Sequence, residues 1–169
     1  MTGPFSATSV ATPLGELILV TSPVGVIATA FGEDAFDVEL ERLEAAVGGP
    51  IDRSGRGTSP ARREVDRYFR GRLRSFSTPV DLGLVSPGFG RRVLLETARI
   101  PFGELVTYGD VAAAAGVQRG GRAAGNALNR CPIELFVPCH RVVHASGAIR
   151  GYGRHEDRKR WLLRHEGAI

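Results

Sequence analysis

The stretch Thr107–Asn129, TYGDVAAAAGVQRGGRAAGNALN, decides how this chain is read. Thr107, with an acid three residues on at Asp110, starts a capping box, in which hydroxyl and carboxylate each satisfy an orphan backbone amide. A short helix therefore opens at Tyr108 and runs through Ala115, Gly116 makes a turn, and Gly121–Asn129 forms a second helix. Two short helices joined by a glycine-containing turn read as a helix-turn-helix. The second helix is almost bare of the long side chains that read base edges in the major groove. Its alanines and glycines leave two readings open. The backbone could approach a narrow minor groove with one long arm at Arg122, or the helix could pack tightly against a neighbour.

Working outward, Ser86-Pro87 is a helix-start signature, and Phe89, Val93, Leu94 and Ile100 supply the apolar face of a helix ending before Pro101. Downstream, a last helix spans Glu156–His165 and stops at Gly167. The upstream half opens with two strand-like runs, Gly15–Ser22 and Gly25–Gly32, turning at Ser22-Pro23-Val24-Gly25. An amphipathic helix follows over Asp34–Val47, then a surface loop over Ser54–Thr58. The next helix takes Ser59 as N-cap with Pro60 in its first turn and ends near Gly71. The upstream half holds neither Cys nor His. The chain divides into a structural domain, 1–85, and a domain carrying the chemistry, 86–169.

Charge divides the same way. Residues 1–85 carry nine arginines against eleven acids, net −2, whereas 86–169 carry twelve arginines and one lysine against seven acids, net +6. The downstream half is suited to a polyanion. A hydrophobic fraction of 43% and a charged fraction of 24% are those of a globular protein. No apolar run approaches the ~18 residues of a membrane span, and no secretory leader is visible. Two cysteines are too few for a disulfide framework and fit a reducing compartment, so the expected location is the cytoplasm.

Those cysteines direct the chemistry. Pro138-Cys139-His140-Arg141-Val142 sets a nucleophile against a base at the end of an apolar run, and thiolate is the reactive form of cysteine. Four readings compete: a buried structural thiol; a metal corner of Cys131, Cys139, His140 and His144, which lacks any close Cys pair; a cysteine hydrolase, without a local signature; and a thiol that works on DNA.

The fourth is supported by a resemblance. Pro138–Val142 resembles the active-site signature of the O6-alkylguanine-DNA alkyltransferases, the methylated-DNA–protein-cysteine methyltransferases. Ile100-Pro101-Phe102-Gly103-Glu104, Val106-Thr107-Tyr108, Gly121–Gly125, Gly151-Tyr152 and Trp161–Glu166 resemble family blocks in matching order and spacing. Thr12–Leu17 and the hairpin after it are similar to the family's variable N-terminal domain. The resemblance implies an α/β protein, with an RNase H-like N-terminal domain plus a helical, winged-helix-like C-terminal domain. It implies direct DNA repair, by irreversible transfer of an alkyl group from O6-alkylguanine, and weakly O4-alkylthymine, to Cys139. His140 would be the base acting through a water, Glu166 its orienter, and Tyr108 the proton donor and rotator of the 3′ phosphate. Arg122 would fill the vacated stack after base flipping, with Ala123, Ala124, Gly125 and Asn129 completing the DNA surface. Val142, Tyr152, Gly153 and Lys159 would form the base pocket. The resemblance further implies no cofactor, no metal, duplex DNA as partner without an obligatory protein partner, and a monomer with room for cooperativity on DNA.

Departures stand beside it. Family members usually have Asn where this chain has Cys131, and Gly-Gly-Leu where it has Arg154-His155-Glu156. Two rivals remain: a non-catalytic lesion binder of the same family, which would lack the cysteine, and a transcription regulator, for which the second helix is too bare.

Overall fold

The computed structural model describes residues 5–32, 36–152 and 155–169, in two compact units divided after Leu84. The first unit is a mixed sheet with two helices. Strands β1 (Phe5–Thr12), β2 (Gly15–Thr21) and β3 (Val26–Phe31) form an antiparallel meander. After α1 (Phe36–Val47), the two-residue β4 (Ile51–Asp52) joins β1 in parallel, giving the order β3-β2-β1-β4. Both faces of β2 are buried: Ile18 and Val20 join Leu40 and Val47 of α1 in one core, while Leu17 and Leu19 project from the opposite face. Helix α2 (Ser59–Phe69) packs on β1 and buries Val65 and Tyr68.

Several expectations need correction here. Strands β1 and β4 were not expected from the sequence. The α2 N-cap is Thr58, not Ser59, and it makes no side-chain capping bond; its hydroxyl donates to the Gly55 carbonyl instead. Asp34, the expected start of α1, lies outside the described residues.

The second unit is helical around a two-stranded parallel ribbon. Its elements are α3 (Phe89–Thr97), β5 (Val106–Thr107), α4 (Tyr108–Ala114), α5 (Gly121–Leu128), a single 3-10 turn over Cys139–Arg141, β6 (Val142–Val143) and α6 (Glu156–His165). Helix α3 is shorter than expected. It begins beyond Ser86-Pro87, with Gly88 as N-cap, and stops at Thr97, leaving Ile100 buried outside it. The capping box at α4 is complete: Asp110 N donates to Thr107 Oγ1 at 3.2 Å, and Thr107 N to the Asp110 carboxylate at 3.2 Å. Gly116, at φ +87°, ends α4 with Val117 N reaching back to the Ala112 carbonyl. Arg92 of α3 donates to the Ala115 carbonyl at 2.9 Å, a cation at the negative end of α4.

Candidate active site and nucleic-acid interface

Helix α5 shows why its side chains are small. A Cβ on Gly121 would lie 3.5 Å from the Gly109 amide, and one on Gly125 would lie 3.7 Å from the Tyr108 ring. Ala124 is fully buried. These positions let α5 close on α4, so Ala124 is corrected from a DNA-facing residue to a packing one, and Gly125 sits half-buried against Tyr108. The other side of the helix is exposed and carries Arg122, Ala123, Asn126 and Asn129. A cleft of about 460 Å³ opens beside it, lined by Tyr108, Arg122, Asn126, Asn129, His144 and Gly151 among others. No ion pair holds the Arg122 side chain among the described contacts. That leaves it as a long, charged arm at the mouth of a concave surface.

The thiol lies deeper. Cys139 begins the 3-10 turn and is 5% exposed, and His140 after it is fully buried. His140 Nε2 lies 2.8 Å from Glu166 Oε1. A carboxylate paired with a guanidinium only accepts, so Nε2 carries the proton and Nδ1 the lone pair. Nδ1 is buried with no hydrogen-bond partner. Burial pushes His140 below the ordinary imidazole value, against the pull of Glu166, and keeps the ring neutral. A neutral imidazole with a free lone pair is a base.

Glu166 is the hub. Besides His140, it accepts from Arg141 Nε and Nη2, each at 2.9 Å, and from the Gly103 amide at 3.2 Å. Arg141 also donates to the Ile100 carbonyl and lies over the Phe102 ring, so its charge is paired and each of its three nitrogens donates a hydrogen bond. The sequence reading gave Arg141 no role. The available signal was a guanidinium directly between His140 and a buried valine pair.

Lys159 is fully buried, and its ammonium donates to the carbonyls of Val142 and Arg150. It lies 5.6 Å from the centre of the Tyr108 ring. Burial lowers it to about 8, offset in part by Cys139 and Glu156. The thiol itself is held well up, first by a hydrogen bond with Cys131, then by burial and the Glu134 charge; Lys159 pulls the other way. Burial, with help from Cys139, also raises Tyr108, which keeps its proton. Thus Cys139 rests as a thiol, not as the thiolate that an adjacent imidazole suggested. Tyr152 closes on the site with φ +68° and its ring edge-on to His140, 6.4 Å between centres. Gly153 and Arg154 lie outside the described residues. His144, proposed as a metal ligand in one reading, stacks edge-on against Tyr108 instead. Among the described residues no three His, Cys, Asp or Glu side chains converge as metal ligands, and no helix is long and apolar enough to cross a membrane.

Glu134 was also missed; a lone acid in the apolar run Ile133–Val137 was its signal. Burial pushes it up to about 7 against the pull of Arg158. It and His140 make opposite contributions to stability with pH. His140 folds with a lowered value, so the unfolded chain takes the proton first and stability falls as pH drops below ~6.5. Glu134 folds with a raised value, so stability is gained as pH falls from about 7. The two offset each other near pH 6. Glu134→Gln removes one side, and urea melts of that variant are expected to lose stability between pH 7 and 5.5, by up to ~1.4 kcal/mol per unit. A flat profile would show that His140 is not buried neutral.

Known proteins share this frame. The DNA-binding domain of 6-O-methylguanine DNA methyltransferase matches residues 88–168. A DNA base-flipping protein of Thermus thermophilus is 39% identical over 162 residues, covering 94% of this chain and 97% of that one. A methylated-DNA–protein-cysteine methyltransferase of Mycolicibacterium paratuberculosis is 36% identical, covering 88% and 90%. Among solved structures, the Mycobacterium tuberculosis O6-methylguanine methyltransferase superposes with a TM-score of 0.80 at 31% identity, covering 96% of this chain and 92% of that one. The same organism's enzyme in complex with DNA gives 0.79 at 31% identity, over 96% and 91%. With a cysteine, a histidine and a carboxylate meeting behind a helix-turn-helix, and with relatives matched over nearly their whole length, this chain belongs to the methylated-DNA–protein-cysteine methyltransferase family.

Proposed function

We propose that this protein repairs O6-alkylguanine in duplex DNA, and O4-alkylthymine more weakly, by moving the alkyl group onto Cys139. The observation that carries this reading is the division of labour on one imidazole. His140 Nε2 is committed to Glu166, and its buried Nδ1 is left with a lone pair beside the thiol turn. His140 takes the Cys139 proton through a bridging water, and the sulfur attacks the alkyl carbon in line. The S–C bond forms, the C–O6 bond breaks, and its electrons pass to the guanine, which Tyr108 protonates. Lys159 offers a positive charge to the forming thiolate. The Val142 carbonyl accepts from Lys159 and keeps a second lone pair for the base. Cys139, His140, Glu166 and Tyr108 are the reacting set; Tyr152, Gly153 and Lys159 complete the pocket with Val142.

The lesion reaches that pocket by base flipping, at a cost of a few kcal/mol. The exposed side of α5 enters the minor groove, with Ala123 and Asn129 against the strand and Arg122 in the vacated stack. The thioether product has no good leaving group, so each molecule acts once, without cofactor or metal. The order β3-β2-β1-β4, with β4 parallel to β1, supports an RNase H-like reading of the first unit. The helix-turn-helix with its short ribbon supports a winged-helix-like reading of the second. The working form is a cytoplasmic monomer whose partner is duplex DNA.

Incubation with a duplex containing O6-methylguanine is expected to add one methyl to the intact chain, on Cys139, and none to Cys139→Ser. An unchanged mass with retained binding would overturn the transferase reading in favour of a lesion binder. Arg122→Ala is expected to lose repair of duplex by ~10-fold or more while keeping its reactivity with a free O6-alkylguanine base. Equal losses on both substrates would remove the flipping role.

A further inference from the structure

The first unit carries a charge pattern that the chemistry of the second does not use. Residues 1–85 are net −2, yet Ser59, Arg62, Arg63, Asp66 and Arg70 recur along α2 at the spacing of a single helix face. With Val10 and Ala11 of β1 they line a cleft of about 510 Å³. All three arginines are exposed. Asp66, the acid in the lining, accepts from Arg70 Nε at 2.9 Å, which occupies its charge. The other acid of α2, Glu64, is buried and turned away, accepting from the amides of Ser77 and Thr78 at 2.8 and 3.0 Å. Among the described residues no carboxylate pairs with Arg62 or Arg63, whereas Arg42 and Arg53 of the same unit are each paired with an acid of α1. Two positive charges therefore stand side by side without a counter-charge, on a unit that is otherwise acidic.

We propose that this cleft is a second DNA-contacting site, which holds the phosphate backbone of a strand and reads no sequence. Arg63 and Arg70 stand seven residues apart, ~10 Å along α2. A strand of duplex DNA carries one phosphate per ~3.4 Å of axis, so the stripe has the reach of about three successive phosphates and exceeds a single inorganic phosphate. Guanidinium forks match phosphate oxygens in pairs, and the Ser59 hydroxyl beside them is a further donor. A protein partner is held by an aromatic or aliphatic anchor in a pocket. The cleft offers no such anchor: Val10 is 7% exposed, and the apolar residue left open is the small Ala11. The Asp66 pair steadies Arg70, while Arg62 and Arg63 are left to exchange their solvent counterions for phosphate. DNA binding by the whole protein is then tighter and more salt-dependent than the α5 surface alone provides. The proposal takes duplex DNA as the partner, as the function above does, and is independent of alkyl transfer to Cys139.

The test titrates the full-length protein into an undamaged, fluorescein-labelled duplex at several salt concentrations. Arg62→Gln/Arg63→Gln is expected to bind ~10-fold more weakly at low salt, with a slope of log K against log salt shallower by roughly 2. Both side chains are exposed and Gln is a good helix former, so the variant should keep the parent's urea midpoint. Arg42→Gln/Arg53→Gln removes the same charge from the same unit outside the cleft lining, and should leave the slope unchanged. An equal change there would reduce the effect to net charge and overturn the proposal. Phenylglyoxal, which modifies arginine, separates the sources of phosphate: the duplex should protect Arg62 and Arg63 from it, and inorganic phosphate at equal ionic strength should not. Protection by inorganic phosphate alone would make the cleft a small-anion site and reject the DNA contact. An unaltered slope in Arg62→Gln/Arg63→Gln would reject it as well, leaving the arginines to an acidic protein segment. Absence of methyl transfer from a lesion duplex to the parent, with the slope difference intact, would sink the repair function while leaving this contact standing.

Discussion

Glu166→Ala should destabilise this protein by ~3–5 kcal/mol in urea titrations. The side chain is fully buried and its carboxylate is bonded to both His140 and Arg141. Its removal strands a guanidinium with 7% exposure and leaves the Gly103 amide without its acceptor. A buried cation without a partner costs far more than the intact pair contributes. Glu166→Gln separates structure from chemistry. The amide oxygen still accepts from Arg141 or Gly103, so the loss of stability should be nearer ~1–3 kcal/mol. Its NH2 group, however, can donate to His140 Nε2, which moves the ring proton to Nδ1. The imidazole then faces the thiol with a hydrogen instead of a lone pair. Single-turnover methyl transfer is expected to fall by a factor on the order of 100 or more. A normal rate in a folded Glu166→Gln protein would show that His140 is not the base.

Lys159→Met is expected to do the reverse, costing reactivity while sparing the fold. Holding Lys159 near 8 instead of near its ordinary value means that the folded state binds this proton less tightly than the unfolded one. The sign follows: stability rises as pH climbs from about 8 toward 10, where the unfolded chain also gives up its proton. At neutral pH the buried ammonium therefore costs about 3 kcal/mol. Met fills similar space without that cost, but leaves the Val142 and Arg150 carbonyls unbonded, at about 1–3 kcal/mol each. The two effects nearly cancel, so the melting point should move little. Reactivity should not be spared, because Lys159 is the cation acting on the Cys139 thiolate. Alkylation of Cys139 by iodoacetamide should slow by ~10-fold at pH 7.5, with its pH profile displaced upward. An unshifted profile would reduce Lys159 to a strut for two carbonyls.

The sequence carried those features whose cause is local. The Thr107–Asp110 box and the Glu156–His165 helix each follow from a cap or a period of a few residues. Strand β1 was hidden because FSATSVAT is rich in small and hydroxylated residues. It is a strand through its pairing with β2 along its length and with β4 at its start. Ser59 looked like a cap because Ser-Pro often is one; the backbone enters the helix one residue earlier. The Cys139–His140 pair was legible as chemistry, but its resting protonation was not. That depends on Cys131, Glu134 and Lys159, which reach the thiol through a folded loop and a distant helix. The bare face of α5 had two explanations; packing accounts for Ala124 and Gly125, while Arg122 and Asn129 face outward.

Lys159 and Glu166 stand seven residues apart, two turns of α6 and its cap, or ~10 Å along the axis. One helix thus sets the cation on the thiol side and the carboxylate on the imidazole side in fixed phase. Point changes elsewhere on α6 leave that phase intact. Insertion or deletion of a single residue between them turns one group about 100° away from the other. For this stretch of the gene, a frame-preserving codon slip is a graver lesion than most missense changes, because it uncouples two reacting centres while altering neither residue.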